Sequence, residues 1–155
     1  MSSLAVIDEN TWVSGSRDKT CRVWDRRAPG TKCALTLPGH EATVNCVKIF
    51  PNKQAFGSCS EDSTARLFDI RGVRQLNIYA DEDADTAVSC CGFNASGSII
   101  YTGMSEGSII AWYTLSGEFF DELHFHNSLV ESIELSPDGK AMCTAAREPT
   151  AIVWA

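Results

Sequence analysis

The sequence predicts an all-β protein built as a β-propeller, and three observations lead to this fold class. Aromatic residues recur every 42 to 44 positions, at Trp24, Phe68, Trp112 and Trp154. A similar polar phrase precedes each of them, and an Asp follows the first two. A repeat of about 40–45 residues with this ending is typical of four-stranded propeller blades.

Short segments rich in β-branched and aromatic residues alternate with turn residues along the whole chain, and no segment keeps a helical period. The turns contain Pro, Asn, Asp, Ser and Gly, which favour tight connections between strands. We predict strands, in chain order, over residues 4–7, 12–16, 44–50, 55–58, 64–68, 75–79, 87–93, 99–102, 108–112, 118–123, 129–135, 141–144 and 150–154.

We interpret the chain as one partial propeller domain, 1–155, with blade-like units at about 1–30, 31–74, 75–117 and 118–155. The first unit has no preceding strand and the last has no outer strand, which leaves roughly three and three-quarter units. Closed propellers use about four to eight blades. Either four blades close, or the chain is an incomplete ring whose end faces have no partner.

Composition excludes several other classes of protein. The 155 residues are 44% hydrophobic and 21% charged, which argues against a disordered chain. The net charge of −7 argues against a nucleic-acid partner, because phosphate binding needs a basic face. No long apolar run predicts a membrane span, and the first residues do not resemble a secretory signal.

The cysteines favour a reducing compartment. They number seven, an odd count, and their spacing is irregular. We interpret five of them as small buried residues at positions where strand residues should lie, and we expect a cytoplasmic protein; they are Cys21, Cys46, Cys59, Cys90 and Cys143.

We predict no metal ion and no cofactor. The chain has no Cys-x-x-Cys pair. The acidic run at 81–85 lacks the glycine and glutamate of an EF-hand loop. His124 and His126 have the i, i+2 spacing of a strand, but the repeat already accounts for His126.

Polar residues recur at fixed distances before each aromatic residue. A hydroxyl lies ten positions before it, at Ser14, Ser58, Thr102 and Thr144. An acid lies six positions before it, at Asp18, Asp62, Glu106 and Glu148. A histidine lies twenty-eight positions before it in two repeats, at His40 and His126, while the third repeat has only acids near Asp83.

This His, Ser and Asp pattern admits a catalytic or a structural interpretation. A catalytic triad occurs once in an enzyme, whereas this set recurs with the repeat and lacks a Gly-x-Ser-x-Gly turn. We therefore predict a hydrogen-bond network from imidazole to acid and hydroxyl, and from hydroxyl to the indole N–H. Phe68 has no indole donor, so the second network should be shorter. The third unit, with its altered residues, should be the least rigid.

The phrases resemble those of the WD-repeat family, and within it the β subunit of heterotrimeric G proteins. The resemblance is strongest in Gly39-His40-Glu41, in Phe50-Pro51-Asn52 and in 60–71, where Arg66-Leu67-Phe68-Asp69 is the most specific segment. It extends over the whole chain but covers only the C-terminal half of such a subunit. It implies about four of seven blades, so we expect a fragment or a partial gene product.

The resemblance also implies partners and binding residues. Family members bind γ and α subunits and effectors, without an enzymatic step, and reach the inner face of the plasma membrane peripherally through a lipidated γ. Asn45 and Glu61 match positions that face α subunits and effectors. Candidate γ-facing residues are Phe50, Pro51, Asn52, Asp69 and Arg71. For each of these seven residues, turn chemistry or solvated charge is an equal alternative.

The chain departs from the family pattern at three positions of the α-facing surface. Thr43 replaces an Asp, Arg17 replaces a Cys and Arg147 replaces a Trp. Loss of the aromatic residue weakens the case for α binding, because aromatic side chains often dominate interfaces. We expect a non-enzymatic signalling scaffold. The alternatives are another WD-repeat adaptor, associated with ribosomes or kinases, and more remotely a propeller hydrolase.

Overall fold

The structure of the protein, a computed structural model, describes residues 1–29, 33–81 and 85–155. Over these ranges the chain forms fifteen β-strands in four antiparallel sheets and no helix. The predicted all-β fold class is confirmed. No helix within these ranges is long and apolar enough to cross a membrane.

Each sheet takes its strands in chain order, and each strand pairs with the next. Sheet 1 contains β1 (Ser3–Val6), β2 (Thr11–Gly15), β3 (Cys21–Asp25) and β4 (Leu35–Leu37). Sheet 2 contains β5 (Val44–Ile49), β6 (Ala55–Ser60), β7 (Thr64–Asp69) and β8 (Arg74–Ala80). Sheet 3 contains β9 (Val88–Phe93), β10 (Ile99–Met104), β11 (Ser108–Tyr113) and β12 (Phe119–His124). Sheet 4 contains β13 (Val130–Leu135), β14 (Met142–Ala146) and β15 (Ala151–Trp154).

The first strands of the four sheets lie side by side in chain order, β1 against β5, β5 against β9 and β9 against β13. Hydrogen bonds join these neighbours: Ser3 Oγ accepts the Val47 N–H at 3.1 Å, and Asn45 Nδ2 donates to the Val88 carbonyl at 3.0 Å. This arrangement is that of propeller blades around a common axis. The predicted partial propeller, four blades in an open ring, is confirmed.

The outer strand β4 is an element that the sequence pattern does not predict. It has only three residues, Leu35–Leu37, and its short run lacks a readable alternation. The strand forms because its backbone completes the ladder of β3, where Cys21 lies opposite Leu37. No bounds are predicted for β3, although Cys21 is interpreted there as a strand residue. The remaining strands begin or end within a few residues of their predicted bounds.

Apolar side chains fill the space between successive sheets. Between sheets 1 and 2, Val13 and Val23 pack with Val47, and Phe56 stacks on Phe68 at a centroid distance of 5.3 Å. Separate clusters join sheet 2 to sheet 3 and sheet 3 to sheet 4. Each interface buries one face of each sheet, so the blades stabilise one another in series.

The cysteines are free thiols, and most of those in strands are buried. Burial raises the pKa of Cys21 to about 12 and that of Cys59 to about 11, which disfavours the reactive thiolate. Cys46 is half-buried, while Cys143 is exposed, so the prediction of a buried Cys143 is wrong. Its side chain lies on a face of sheet 4 that no further described sheet covers.

Candidate protein-interaction surfaces

The predicted polar residues of sheet 2 come together in one network. His40 Nδ1 lies 2.9 Å from Asp62 Oδ2, and His40 Nε2 lies 2.7 Å from Ser58 Oγ. Asp62 also accepts the backbone N–H of Glu41 at 2.8 Å and the hydroxyl of Thr64 at 2.7 Å. The network ties the loop before β5 to the turn between β6 and β7, and so fixes the loops at this end of the blade.

The carboxyl group of Asp62 is held ionised by these donors. Burial alone would raise its pKa, but hydrogen bonds from His40, Thr64 and the Glu41 N–H outweigh this effect and hold the pKa well below its ordinary value of 3.8. The guanidinium of Arg66 lies 3.7 Å away and contributes a further opposite charge. The charged form of Asp62 is therefore the one that stabilises the blade.

The network of sheet 4 reaches one residue further, to an indole ring. The Thr144 hydroxyl accepts the indole N–H of Trp154 at 3.1 Å and lies 2.8 Å from His126 Nε2. His126 Nδ1 lies 2.6 Å from Glu148 Oε1, and this bond lowers the pKa of Glu148. In sheet 2 the corresponding ring, Phe68, has no such donor and stacks on its neighbour instead.

Sheets 1 and 3 contain only part of the pattern. Trp24 donates to Ser14 Oγ at 2.8 Å, and Trp112 donates to Thr102 Oγ1 at 2.9 Å. Their acids bond locally within the tight turns: Asp18 Oδ1 accepts from the Thr20 hydroxyl at 2.6 Å, and Glu106 Oε1 accepts from the Ser108 hydroxyl at 3.0 Å. Glu82 and Asp83 of the third repeat fall outside the described residues.

Burial excludes a hydrolytic role for the His40, Ser58 and Asp62 set. The Ser58 side chain is fully buried, and the imidazole of His40 is almost completely so. A nucleophile must reach its substrate, whereas this hydroxyl already occupies a closed site between two sheets. The same holds for Thr144, which is fully buried beside its histidine.

The described residues contain no group of three or more His, Cys, Asp or Glu side chains arranged to hold a metal ion. The ring of His124 is largely exposed and lies 3.4 Å from Glu122, whereas His126 is buried. The two histidines with the strand-like spacing therefore occupy different surroundings.

Antiparallel pairing places the candidate binding residues at two opposite ends of the sheets. The loop before β5 and the β6–β7 turn lie at one end, here the Asn45 end, with Asn45 and Glu61. The β5–β6 and β7–β8 turns lie at the other, the Phe50 end, with the five candidate γ-facing residues. The two predicted groups are thus spatially separate.

Asn45 and Glu61 line a common cleft of about 570 Å³ at the Asn45 end. Arg147, where the family pattern has Trp, lines the same cleft and pairs with Glu131 at 3.1 Å. The remaining lining residues are Ser2, Ala87, Ser89, Ser105 and Leu129. All four sheets or their loops contribute, so the cleft depends on the relative placement of the blades.

Glu131 and Ser89 are cleft residues that the sequence analysis did not identify. Each directly follows the buried Val that begins the first strand of its sheet, as Asn45 does in sheet 2. The period of the aromatic residues could have identified both residues. It makes them equivalent to Asn45, and equivalent positions in successive blades face the same axis.

At the Phe50 end, the side chains of three of the five candidate residues contact partners within the chain. Phe50 packs edge-on against Phe93 of the next sheet at 5.2 Å. Asn52 Oδ1 accepts the Gln54 N–H at 2.8 Å, and Asp69 Oδ1 accepts the N–H groups of the β7–β8 turn. Pro51 and Arg71 are exposed, and they offer the freely accessible side chains of this group.

Because the buried polar network recurs with the repeat, the fold is that of a repeat propeller, a class whose exposed loops provide binding surfaces. The chain belongs to the WD-repeat family. A family model described as "WD domain, G-beta repeat" matches residues 1–25, 31–69 and 75–113.

The chain is similar to curated proteins named guanine nucleotide-binding protein subunit beta. It is 37% identical to the one from Oryza sativa subsp. japonica over 163 aligned positions, which cover 99% of this chain and 42% of the relative. It is 36% identical to one from Nicotiana tabacum, and the alignment covers 99% of this chain and 42% of the relative. It is 35% identical to one from Zea mays, and that alignment covers 100% of this chain and 43% of the relative. The chain thus spans less than half the length of these relatives.

Proposed function

We propose that the chain acts as a signalling scaffold of the G-protein β-subunit type, binding a γ subunit at one end of its blades and α subunits or effectors at the other. The similarity of nearly the whole chain to guanine nucleotide-binding β subunits is the observation that carries this proposal. The scaffold presents loops in fixed positions and performs no chemical step, and a lipidated γ partner holds it at the inner face of the plasma membrane.

The Asn45 end is the proposed site for the α subunit and effectors. Glu61 is exposed there, in a tight turn whose neighbour Asp62 is fixed by His40. Asn45 is half-buried and oriented by its bond to the Val88 carbonyl. The Glu61 backbone, whose N–H donates to the Thr43 carbonyl at 3.0 Å, and the Asn45 side chain are thus fixed before binding, which favours affinity.

The Phe50 end is the proposed site for the γ chain. Pro51 and Arg71 are exposed, and the turns that carry them are joined by a hydrogen bond from the Ile70 N–H to the Gln54 carbonyl at 3.0 Å. Phe50, Asn52 and Asp69 support these turns from within. We propose that they act by shaping the surface, with Pro51 and Arg71 making the contact.

The Arg147–Glu131 pair supports the second candidate, a WD-repeat adaptor for a different partner. It puts two opposite charges in the Asn45 cleft, where the β-subunit pattern has an aromatic residue. A partner that binds there meets a polar, charged cleft, so a polar partner segment fits this alternative better than an apolar anchor.

Charge reversals at the two ends test the proposal. We expect Glu61→Lys to weaken α binding about tenfold and leave γ binding unchanged, since charges at an interface shift affinity by this order. Arg71→Glu is expected to weaken γ binding and spare α. Each variant is the control for the other in co-purification with tagged γ and α subunits.

Loss of both partners in both variants would indicate misfolding rather than two surfaces, and circular dichroism distinguishes this case. If the wild-type chain retains neither γ nor α, the β-subunit proposal is wrong and the adaptor remains. If both variants bind as the wild type does, the two ends are not the binding surfaces.

A further inference from the structure

The turn between β11 and β12 differs in side-chain chemistry from the equivalent turns of the first two repeats. In sheet 1 the residue after the aromatic ring is Asp25, and Arg27 follows two positions later; sheet 2 has the same two residue types at these positions. In sheet 3 the equivalent residues are Tyr113 and Leu115. An acid and a base in two repeats therefore correspond to an aromatic and an aliphatic residue in the third.

The backbone of this turn nevertheless follows the same path as in the other two sheets. The Thr114 N–H donates to the Ser98 carbonyl at 2.9 Å, as the Ile70 N–H donates to the Gln54 carbonyl at 3.0 Å in sheet 2. Sheet 1 has the equivalent bond at 2.9 Å. The difference between the repeats thus lies in the side chains and not in the course of the chain.

Contacts of the backbone hold the turn in place without help from the Leu115 side chain. The Tyr79 hydroxyl of sheet 2 donates to the Thr114 carbonyl at 2.6 Å. Asn77 Nδ2 donates to the carbonyls of Thr114 and Leu115 at 3.2 Å and 3.3 Å. Leu115 is 83% exposed, so its side chain adds almost nothing to the core.

Tyr113 and Leu115 line an open pocket of about 350 Å³, together with Ser98, Ser116 and Glu118. These five residues, here called the Leu115 pocket, all come from two turns of sheet 3, so neither the first nor the last sheet contributes to its walls. The volume is within the range of small binding sites, and the aromatic and aliphatic walls favour an apolar group.

The Leu115 pocket also lies in a part of the chain that has no basic residue. Residues 75–139 contain no Lys or Arg, whereas they contain eleven Asp and Glu residues. Glu118 belongs to the pocket wall, and it forms no salt bridge with any other described residue. An apolar pocket with an unpaired acid at its wall is complementary to an apolar group that lies beside a cation.

We propose that the Leu115 pocket binds a segment of a partner protein in which a large apolar side chain lies next to Lys or Arg. The apolar side chain fills the space between Tyr113 and Leu115, and the basic group pairs with Glu118. A protein segment is the occupant that the charges favour, because an acidic surface repels both nucleic acid and an anionic lipid surface. This binding site goes beyond the scaffold function proposed above and does not depend on it.

The Leu115 pocket adjoins the Phe50 end but differs in chemistry from the proposed γ contacts. Gly97 packs so closely on the Phe50 ring that no Cβ would fit, and the next residue, Ser98, lines the pocket. Arg71 is the equivalent of Leu115 in sheet 2 and offers a positive charge. A segment that binds Arg71 and a segment that binds the Leu115 pocket therefore need opposite charges.

Fluorescence anisotropy with a labelled probe peptide, Lys-Leu-Lys-Phe-Lys, tests the chemistry of the pocket on the full-length protein. One control peptide replaces Leu and Phe with Ser, and the other replaces each Lys with Glu. We expect the probe to bind at least about tenfold more tightly than either control, because only the probe has both features. Equal binding of the serine peptide would show that charge attraction alone acts, and the proposal would be wrong.

A double variant, Tyr113→Asp with Leu115→Arg, gives sheet 3 the residue types that sheets 1 and 2 have in their turns. It should raise the dissociation constant of the probe at least about tenfold, because the apolar walls are lost. The urea midpoint should not change, since Tyr79 and Asn77 hold the backbone of the turn. Unchanged probe binding in this variant would overturn the proposal.

Leu115→Ser is a milder variant, and it keeps the test valid if the double variant does not fold. Leu76→Ser is its matched control, because Leu76 is also exposed but lies on β8 and outside the pocket. We expect about tenfold weaker probe binding in Leu115→Ser and wild-type binding in Leu76→Ser. Equal effects of the two substitutions would contradict a site at Leu115.

Binding of a γ subunit to Leu115→Ser distinguishes a separate site from an extension of the γ surface. We expect γ to bind this variant as tightly as it binds the wild type. A tenfold loss of γ binding would place the Leu115 pocket within the γ surface, and the proposal of a different partner would be wrong. If the wild type binds no γ at all, the β-subunit proposal fails while the probe peptide still reports on the pocket.

Discussion

Replacing Asp62 with alanine is expected to lower the free energy of unfolding by about 3 kcal/mol, because several donors lose their acceptor. His40 Nδ1, the Glu41 N–H and the Thr64 hydroxyl all bond this carboxylate. The histidine is buried and cannot turn to water instead. Urea unfolding at one fixed chain concentration measures the difference.

Asp18→Ala is the matched control, since Asp18 occupies the same position in the first repeat. It is exposed and bonds only within its turn and to Arg22. Its loss should cost under about 1 kcal/mol, as is usual for exposed pairs. Equal effects of the two substitutions would show that the imidazole network contributes nothing beyond the turn.

The effect of Asp62 should also depend on pH. Its folded pKa is depressed, so its contribution to stability is complete above the unfolded value of 3.8 and is lost as the pH falls through the lower folded pKa. The difference in the free energy of unfolding between the wild type and Asp62→Ala should therefore become smaller as the pH falls below 3.8. A difference that is constant through this range would contradict the assignment.

His126→Ala is expected to cost about 2–3 kcal/mol, because it leaves a cavity and removes the partner of a buried hydroxyl. The imidazole fills the space between Thr144 and Glu148, with contacts of 2.8 Å and 2.6 Å. Urea unfolding of the wild type and the variant, followed by tryptophan fluorescence, measures the difference in the free energy of unfolding.

His124→Ala distinguishes this network from a generic effect of histidine loss. Its ring is largely exposed, two residues away in sequence, and its removal should change stability by no more than about 0.5 kcal/mol. If His126→Ala and His124→Ala lower the free energy of unfolding by similar amounts, the buried network does not stabilise sheet 4.

The sequence predicted the blades well because their signal is local and repeated. The aromatic period and the hydroxyl ten residues earlier reflect one cross-strand geometry, in which Trp24, Trp112 and Trp154 each donate to such a hydroxyl. The short strand β4 escaped prediction because its stability comes from pairing with β3 and not from its own pattern. Propensity alone cannot identify such a strand.

The cleft was predictable only in part. The family resemblance indicates Asn45 and Glu61, but their position in one cleft with Glu131 and Arg147 depends on how successive blades are rotated about the axis. The role of Phe50 could not be predicted from the sequence for the same reason, because its ring packs against Phe93, a residue of the next sheet. Contacts between blades join distant positions that no local pattern links.

The most direct test of the proposed scaffold function is the affinity of the chain, together with γ, for an α subunit in its two nucleotide states. A β-type scaffold should bind the GDP-bound α at least about tenfold more tightly than the activated α, because partner release follows from a difference in affinity between two states. Equal affinity for both states, or no binding to either, would contradict the account.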